Sequence, residues 1–342
     1  MKTEIKLSKT NQIFIVGSSR SGTTMMGRIL DNHPSILTFN ELHFFGTLWA
    51  NSSSQELSQE EQITLLSRLL CIQENGLFSQ KKISEFNYKS KKLIKDKSLD
   101  SLEIYELFLK EVTIENSAKI SCEQTPKNIY YLNEILQYFP NAKVINMVRD
   151  QRDVLLSQKN KWKRRFLGAS AIPFYEAIRS YINYHPILTS KVWNSSLQHT
   201  CRYKNHQRVK IVKFEALLAD SVETLKDICN FLEIDFSKKM LEVPVIGSST
   251  EKDKKGDMRI DKSKIFKWKN GGLSDAEIYL SQKMSFRMLE AFNYPLQKFV
   301  FPPLISVYFL LLLPLKLFLA FLFNFHRMAS IIEVIKKRFF IK

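Results

Sequence analysis

Gly17-Ser18-Ser19-Arg20-Ser21-Gly22-Thr23-Thr24 has the spacing of a loop that holds a phosphate. Its glycines are placed as in G-x-x-x-x-G-K-[ST], where the lysine reaches the β- and γ-phosphates of a nucleoside triphosphate. Here Thr23 stands in the lysine's place and the cation has moved to Arg20, inside the loop. Main-chain N–H groups and the hydroxyls of Ser21, Thr23 and Thr24 can still cradle an anion where a helix begins. A single 5′-phosphate bearing one transferable group suits this loop better than a triphosphate.

A second pair of residues extends the site. Arg149 follows the apolar run Lys143 to Val148, and Ser157 comes two helical turns later. Ligands of parallel α/β sheets bind at the carboxyl ends of strands, so a guanidinium placed there suits a second phosphate. Two separated clamps match the 5′- and 3′-phosphates of 3′-phosphoadenosine 5′-phosphosulfate (PAPS). A general base must be a carboxylate or imidazole near the first loop. Glu41, within the aromatic stretch Phe39 to Phe45, is the candidate, because partial desolvation would make it a better base. His43 and His33 are the other candidates. His33 reads better as a turn residue before Pro34, and His43 as a packing or substrate-side group.

The elements that must position these residues can be read from periodicity. A strand at 12–16 leads into the loop, and a helix runs from about Gly22 to Asn32. The segment 51–117 reads as a variable helical insert. Lys119 to Cys122, Lys143 to Val148 and Val209 to Phe214 read as strands. Helices are expected up to Phe139, from an Asp150 cap through Trp162, over 171–199 and over 221–232. This alternation predicts an α/β fold with a P-loop NTPase-like parallel sheet covered on both faces by helices. Residues 1–298 would form that domain, with 46–118 shaping an acceptor cleft.

The C-terminal part is different. Residues 299–325 are almost wholly apolar, interrupted by Pro302, Pro303, Pro314 and Lys316, and the tail 326–342 carries five Lys/Arg against one Glu. A basic tail beyond a single span would oppose the positive-inside tendency. The expectation is therefore a kinked, re-entrant or in-plane hairpin over 299–342, anchoring the protein to the cytoplasmic face of a membrane, with a single span, or a buried helical hairpin or oligomer interface, as alternatives. The basic tail would meet anionic headgroups. Met1 to Thr10 shows no apolar signal region.

The net charge of +17 points to polyanionic partners. No zinc-finger, RNP or helix-turn-helix signature accompanies it, so nucleic acid is not expected. Cys71, Cys122, Cys201 and Cys229 lack C-x-x-C spacing, which argues against disulfides and zinc and for a reducing compartment.

Taken together, Arg20-Ser21-Gly22-Thr23-Thr24 and Val148-Arg149-Asp150-x-x-Asp153-Val154-x-x-Ser157 resemble the two PAPS-binding elements of sulfotransferases. The likeness runs from about residue 12 to 295 and is greatest to the branch of tyrosylprotein sulfotransferases and bacterial carbohydrate or lipid sulfotransferases. It implies that Ser21 to Thr24 bind the 5′-phosphosulfate and that Arg149 and Ser157 bind the 3′-phosphate. Lys161, expected on the same helix face as Ser157, would add a further cation. Lys267-Trp268 resembles a pair that closes over the nucleotide from the basic loop 251–269, with Arg259 also facing inward. Glu41 falls where relatives carry their catalytic glutamate. Two departures stand out. Phe214 occupies a position that is often Tyr, and Gln124 replaces the lysine of Glu-Lys-Thr-Pro, leaving Arg20 or Lys127 to supply charge.

The activity implied is metal-free, in-line sulfuryl transfer from PAPS to a hydroxyl of a glycan, glycolipid or lipid, with Glu41 and Arg20 catalytic. Two alternatives compete with it: a catalytically weak or inactive membrane-tethered PAPS-binding protein, motivated by Gln124, and a P-loop kinase. The missing loop lysine and the lack of a second carboxylate strand weigh against the kinase.

Overall fold

The computed structural model describes residues 12–49, 57–78, 80–325 and 336–337. Its elements in chain order are β1 (Gln12–Gly17), α1 (Thr23–Asp31), β2 (Ile36–Thr38), α2 (Gln59–Asn75), α3 (Asn87–Ile94), α4 (Ser101–Glu115), β3 (Ile120–Glu123), α5 (Leu132–Tyr138), β4 (Lys143–Val148) and α6 (Gln151–Lys159). There follow α7 (Phe174–Ile182), α8 (Pro186–Arg202), β5 (Val209–Lys213), α9 (Phe214–Ala219), α10 (Ser221–Leu232), β6 (Pro244–Val245), β7 (Lys254–Met258), α11 (Asp275–Ala291) and α12 (Ile305–Asn324).

A five-stranded sheet in the order β2-β3-β1-β4-β5 is parallel throughout. Every residue of β1 is buried. Its side chains alternate between two cores, as period-2 geometry requires. Phe14 and Val16 pack with the aromatic and aliphatic residues of α2, α4 and α5, whereas Ile13 and Ile15 pack with α1 and α10. Helices thus cover both faces, and apolar strands are what such a sheet needs. After β1 the chain crosses to the β2 edge, and β4 returns on the other side of β1. The carboxyl ends of β1 and β4 consequently flank a topological switch point, where a crevice forms.

Two expected elements differ. The helix capped by Asp150, whose carboxylate accepts from Arg152 N, ends at Lys159 and not at Trp162. Asn160 stops it by turning its side chain back to the Leu156 carbonyl at 3.0 Å, and a 3-10 turn, Lys161–Phe166, follows. The helix expected before Phe139 begins as a 3-10 turn, Pro126–Tyr131.

Within the apolar C-terminal stretch, Ile305–Asn324 form one helix that runs through Pro314 without a break, and the second arm of the expected hairpin falls largely outside the described residues. It is long and apolar enough to cross a membrane, with a mean hydropathy of 2.3. Contacts run along its length. Ser306 is buried, and His185 Nε2 donates to the Phe309 carbonyl at 2.9 Å, just before the proline. Lys316 turns back to the terminal carbonyls of α7, Tyr181 and Ile182, at 3.4 and 3.3 Å, the favourable end of a helix for a cation. Asn324 bonds Asn183 at 2.8 Å. Of the basic tail, Lys336 and Lys337 are described, and Lys337 pairs with Glu134 and lies over the Tyr131 ring. Arg327, Arg338 and Lys342, like Met1 to Thr10, lie outside the described residues.

Candidate active site

A cavity of about 1060 Å³ opens at the carboxyl ends of β1 and β4. The loop after β1 forms its floor, and two glycines fix that loop. A Cβ on Gly17 would lie 2.3 Å from the Met147 carbonyl oxygen of β4. Gly22 has φ +95° and ends the loop, and a Cβ there would lie 2.3 Å from the Phe214 ring. No side chain caps α1, and Gly22, Thr23 and Thr24 line the cavity, so the positive end of the helix faces it. Ser21 does not line the cavity: its hydroxyl is fully buried, and its N–H bonds the Ser18 carbonyl at 3.1 Å.

The two sequence motifs meet here. Arg20, in a left-handed conformation at φ 73°, donates from Nε to Ser157 Oγ at 2.8 Å and from Nη2 to the Gly247 carbonyl at 3.0 Å. Arg149 Nη1 reaches the Arg20 carbonyl at 3.4 Å, and its guanidinium stacks on Phe214 at 4.4 Å. Its Nε is buried without a hydrogen-bond partner. Phe214 therefore acts through its ring face, under Arg149 and against Gly22, which needs no tyrosine hydroxyl.

Asp150 and Asp153 of the second motif hold this end of the site together. Asp150 and Arg152 form a fully buried ion pair at 2.7 Å, and Arg152 stacks on Trp268 at 4.0 Å. Asp153 accepts from Trp268 N at 2.9 Å, which fixes the Lys267-Trp268 turn against α6.

Lys161 lies in the 3-10 turn beyond α6, so the expected shared helix face with Ser157 does not exist. Its charged neighbours are Arg20, Arg179, Glu41 and Glu176. Burial, then Arg20 and Arg179, bring its pKa down to about 8, against the opposing pull of the two glutamates. Arg20 falls to about 10 through burial and the nearby Arg149 and Arg164.

Glu41 lines the same cavity, 3.3 Å from His43 Nε2. Burial pushes its carboxyl upward, but the His43 hydrogen bond and the charges of His43, Lys161 and Arg20 outweigh it and hold the pKa below the ordinary value. The expectation that desolvation would raise its basicity is thus corrected: cations decide the sign. His43 is Glu41's partner. His33 is a turn residue, with Nδ1 accepting from Ser35 N at 3.2 Å. Gln124 packs against Gly27 of α1 and does not line the cavity, whereas Lys127 does.

Arg259 and Lys267 of the basic loop both line the cavity. Arg259 pairs with Asp257 at 2.9 Å, with more than half of its side chain exposed. Lys267 lines the cavity but pairs with Glu251 and bonds Thr250 Oγ1 at 2.8 Å. Residues 247–251 form a strap whose oxygens meet the site: the Gly247 carbonyl at Arg20, Ser249 at Ser157 (3.0 Å) and Glu251 at Lys264 (2.6 Å).

Sequence reasoning missed several cavity residues, among them Arg28, Arg164, Glu176 and Arg179. Arg164 donates two hydrogen bonds to the Asp253 carboxylate, at 2.8 and 3.0 Å. The basic run Lys161 to Arg165 signalled Arg164. Among the described residues of 46–118, only Gly46, Thr47, Gly76, Leu77 and Phe78 line the cavity, while α7 and α12 supply a whole wall.

The family model described as the sulfotransferase family matches residues 12–238, two thirds of the sequence and both arginine motifs. This chain belongs to the sulfotransferase family. Protein-tyrosine sulfotransferase 1 of Mus musculus is 32% identical over 142 residues, which is 41% of this chain and 31% of that protein. The protein-tyrosine sulfotransferase of Drosophila melanogaster is 23% identical over 238 residues, 67% of this chain and 39% of its own. The chain thus spans 31% and 39% of these two relatives' length. The sulfotransferase domain from the curacin biosynthetic pathway superposes with a TM-score of 0.52 at 19% identity, covering 84% of this chain and 99% of that one. The corresponding domain of the Synechococcus PCC 7002 olefin synthase gives 0.50 at 22% identity, covering 86% and 99%. These structures share its fold.

Proposed function

We propose that this member of the sulfotransferase family transfers a sulfuryl group from PAPS to a hydroxyl of a glycan, glycolipid or lipid. The observation that carries the reading is the convergence of Arg20 and Arg149, 129 residues apart in sequence, on one cavity at the ends of β1 and β4. The buried, unpartnered Nε of Arg149 and the open first turn of α1 are donors suited to two separate phosphates.

In this scheme the N-terminus of α1, with Gly22, Thr23 and Thr24, holds the 5′-phosphate. Arg149 and Ser157 hold the 3′-phosphate, and Lys267 leaves Glu251 to join them. Glu41 takes the proton of the acceptor hydroxyl as the acceptor oxygen bonds to sulfur. The sulfur–oxygen bond to the 5′-phosphate breaks in line, and Arg20 neutralises the charge left on that phosphate. Positioning and fixed charge supply most of the rate. Lys161, between Arg20 and Glu41, provides the cation that Gln124 cannot, so we assign it to the transferring group and not to the 3′-phosphate. The product nucleotide is adenosine 3′,5′-bisphosphate. The segment 299–342 holds the catalytic domain, 1–298, at the cytoplasmic face of a membrane.

Two other readings rest on specific observations. Gln124 favours a PAPS-binding protein without transfer. The names of the curated relatives favour a tyrosyl hydroxyl as acceptor. The apolar side chains of Leu317, Ala320 and Phe321 in the cavity wall favour an amphiphile over a peptide. Calorimetric titration with adenosine 3′,5′-bisphosphate and with ATP–Mg²⁺ tests the nucleotide site, with Arg149→Ala expected to abolish the bisphosphate response. Preference for ATP, or silence with both, would overturn it. Radiolabel transfer from PAPS to vesicles, to oligosaccharides and to tyrosyl peptides then separates the acceptors.

A further inference from the structure

Helix α7 is turned inside out relative to an ordinary surface helix. Phe174, Tyr175, Ile178 and Tyr181 face outward and are exposed, whereas Glu176 and Ala177 are buried and Arg179, Ser180 and Asn183 line the cavity. An amphipathic helix in water buries its apolar stripe, so this orientation fits a helix whose outer side meets something apolar. Helix α12 beside it does the same. Its outward residues, among them Leu311, Leu315, Phe318 and Leu322, are exposed, and its one charge, Lys316, is drawn inward to α7. The Tyr175 ring stacks on Phe323 at 5.7 Å, so the two outer faces form one apolar surface.

The inner faces of the same two helices are polar and enclose the far end of the cavity. Arg179 donates from Nε and Nη2 to Glu176 at 3.0 and 2.8 Å and from Nη1 to Asn324 Oδ1 at 2.7 Å, and Asn324 donates on to Asn183 at 2.8 Å. This cluster lies beside Lys161, which feels both Arg179 and Glu176, and Lys161 in turn faces Arg20 and Glu41. This cluster, Lys161, Arg20 and Glu41 all line the one cavity, so polar side chains are set between the seam of α7 and α12 and the proposed point of transfer.

We propose that α7 and α12 lie together in the surface of a lipid bilayer, and that the acceptor is a membrane lipid with a hydroxyl-bearing headgroup, entering through the seam between them. Its headgroup is held by the Glu176–Arg179–Asn183–Asn324 cluster while its chains stay among the apolar faces. The proposal deepens the sulfotransferase reading and rests on it for the reaction. A bilayer is favoured over a protein partner by extent and charge. An apolar helix of 20 residues is about 30 Å long. It is held to the domain at Ser306, Phe309, Lys316 and Asn324, so it lies along the protein as an in-plane helix does and does not leave it to cross. The net charge of +17 attracts the anionic lipids of such a surface.

Flotation with vesicles of phosphatidylcholine, phosphatidylglycerol and galactosyldiacylglycerol tests this, combined with native mass spectrometry of the lipid that stays bound. The wild-type protein is expected to float and to retain one hydroxyl-bearing lipid in preference to phosphatidylcholine. Phe174→Glu with Ile178→Glu, both exposed, should cut flotation at least roughly tenfold. Arg179→Ala should float but lose the retained lipid. Flotation unaffected by the α7 double variant, no preference among lipids, or full retention by Arg179→Ala would each overturn the proposal. So would light scattering that shows a wild-type dimer dissociating in the double variant, since a second copy would then cover this face. Adenosine 3′,5′-bisphosphate titration of the α7 double variant should match the wild type, which shows that the variant is folded. A wild-type protein that floats and retains lipid but binds no bisphosphate would sink the donor reading and leave the bilayer surface standing.

Discussion

Lys161 loses its proton near pH 8 in the unliganded protein because burial and two arginines outweigh two glutamates. If its charge stabilises the group in transfer, kcat/KM should fall as pH rises through about 8, where the cation is lost. Lys161→Met should remove that alkaline fall and lower kcat at neutral pH by about 100-fold, the loss typical of one donor to a developing anion. The same depressed pKa has a stability consequence. Between about 8 and 10.5 the unfolded chain binds the proton and the folded one does not, so this group adds stability as pH rises through that window. Glu41 gives a separate test. Its carboxyl sits below the ordinary value, so it is ionised throughout the neutral range. Glu41→Gln should cost about 10²–10⁴ in kcat, the range of general-base contributions, with bisphosphate affinity within twofold of wild type. A loss of affinity equal to the loss of rate would assign Glu41 to binding.

At the scale of elements, the 247–251 strap competes with any anion for the cations of the site. Glu251 holds Lys264 and Lys267, and the Gly247 carbonyl holds Arg20. Removing the Glu251 charge should therefore tighten adenosine 3′,5′-bisphosphate binding, and calorimetry of Glu251→Gln should show a Kd several-fold lower. An unchanged or weaker Kd would mean that the strap does not yield to the nucleotide. This strap was not legible in sequence, where 251–269 read as a basic loop, because its partners lie far along the chain and no periodicity marks them. What was legible had local causes. The β1 loop announces itself by an apolar strand and two glycines, the Asp150 cap by its position after β4, and α10 by its period. The helix run on to Trp162 misjudged Asn160, whose side chain ends α6 one turn early. Pro314 misled because helix-breaking is a local expectation. Here docking on α7 and α8 through Phe309, Lys316 and Asn324 holds both sides of the proline in one helix.

Across the whole molecule, the site gathers positive charge that the fold alone does not neutralise. Arg20, Arg28 and Lys161 are each driven below their ordinary pKa by burial first; neighbouring cations add to it, against the pull of Asp253 at Arg28 and of the glutamates at Lys161. Such a cluster opposes folding in the absence of an anion, since like charges are held together in a partly desolvated cavity. A ligand with two separated phosphates relieves the repulsion and binds only the folded state. At a concentration 100-fold above its Kd it stabilises by about 2.7 kcal/mol. With an unfolding entropy of about 2.1 cal/mol/K per residue, a chain of this length should gain about 4 °C in Tm. Thermal unfolding in adenosine 3′,5′-bisphosphate should show that rise, and Arg149→Ala should lose it. Adenosine 5′-monophosphate, which lacks the 3′-phosphate, should give a much smaller shift at the same concentration. Moderate salt should raise the Tm of the unliganded protein by screening the cluster, while shrinking the increment due to the ligand. Equal shifts from the mono- and bisphosphate would show that Arg149 and Ser157 do not form a second clamp, and the site would then be that of a nucleotide with a single phosphate group.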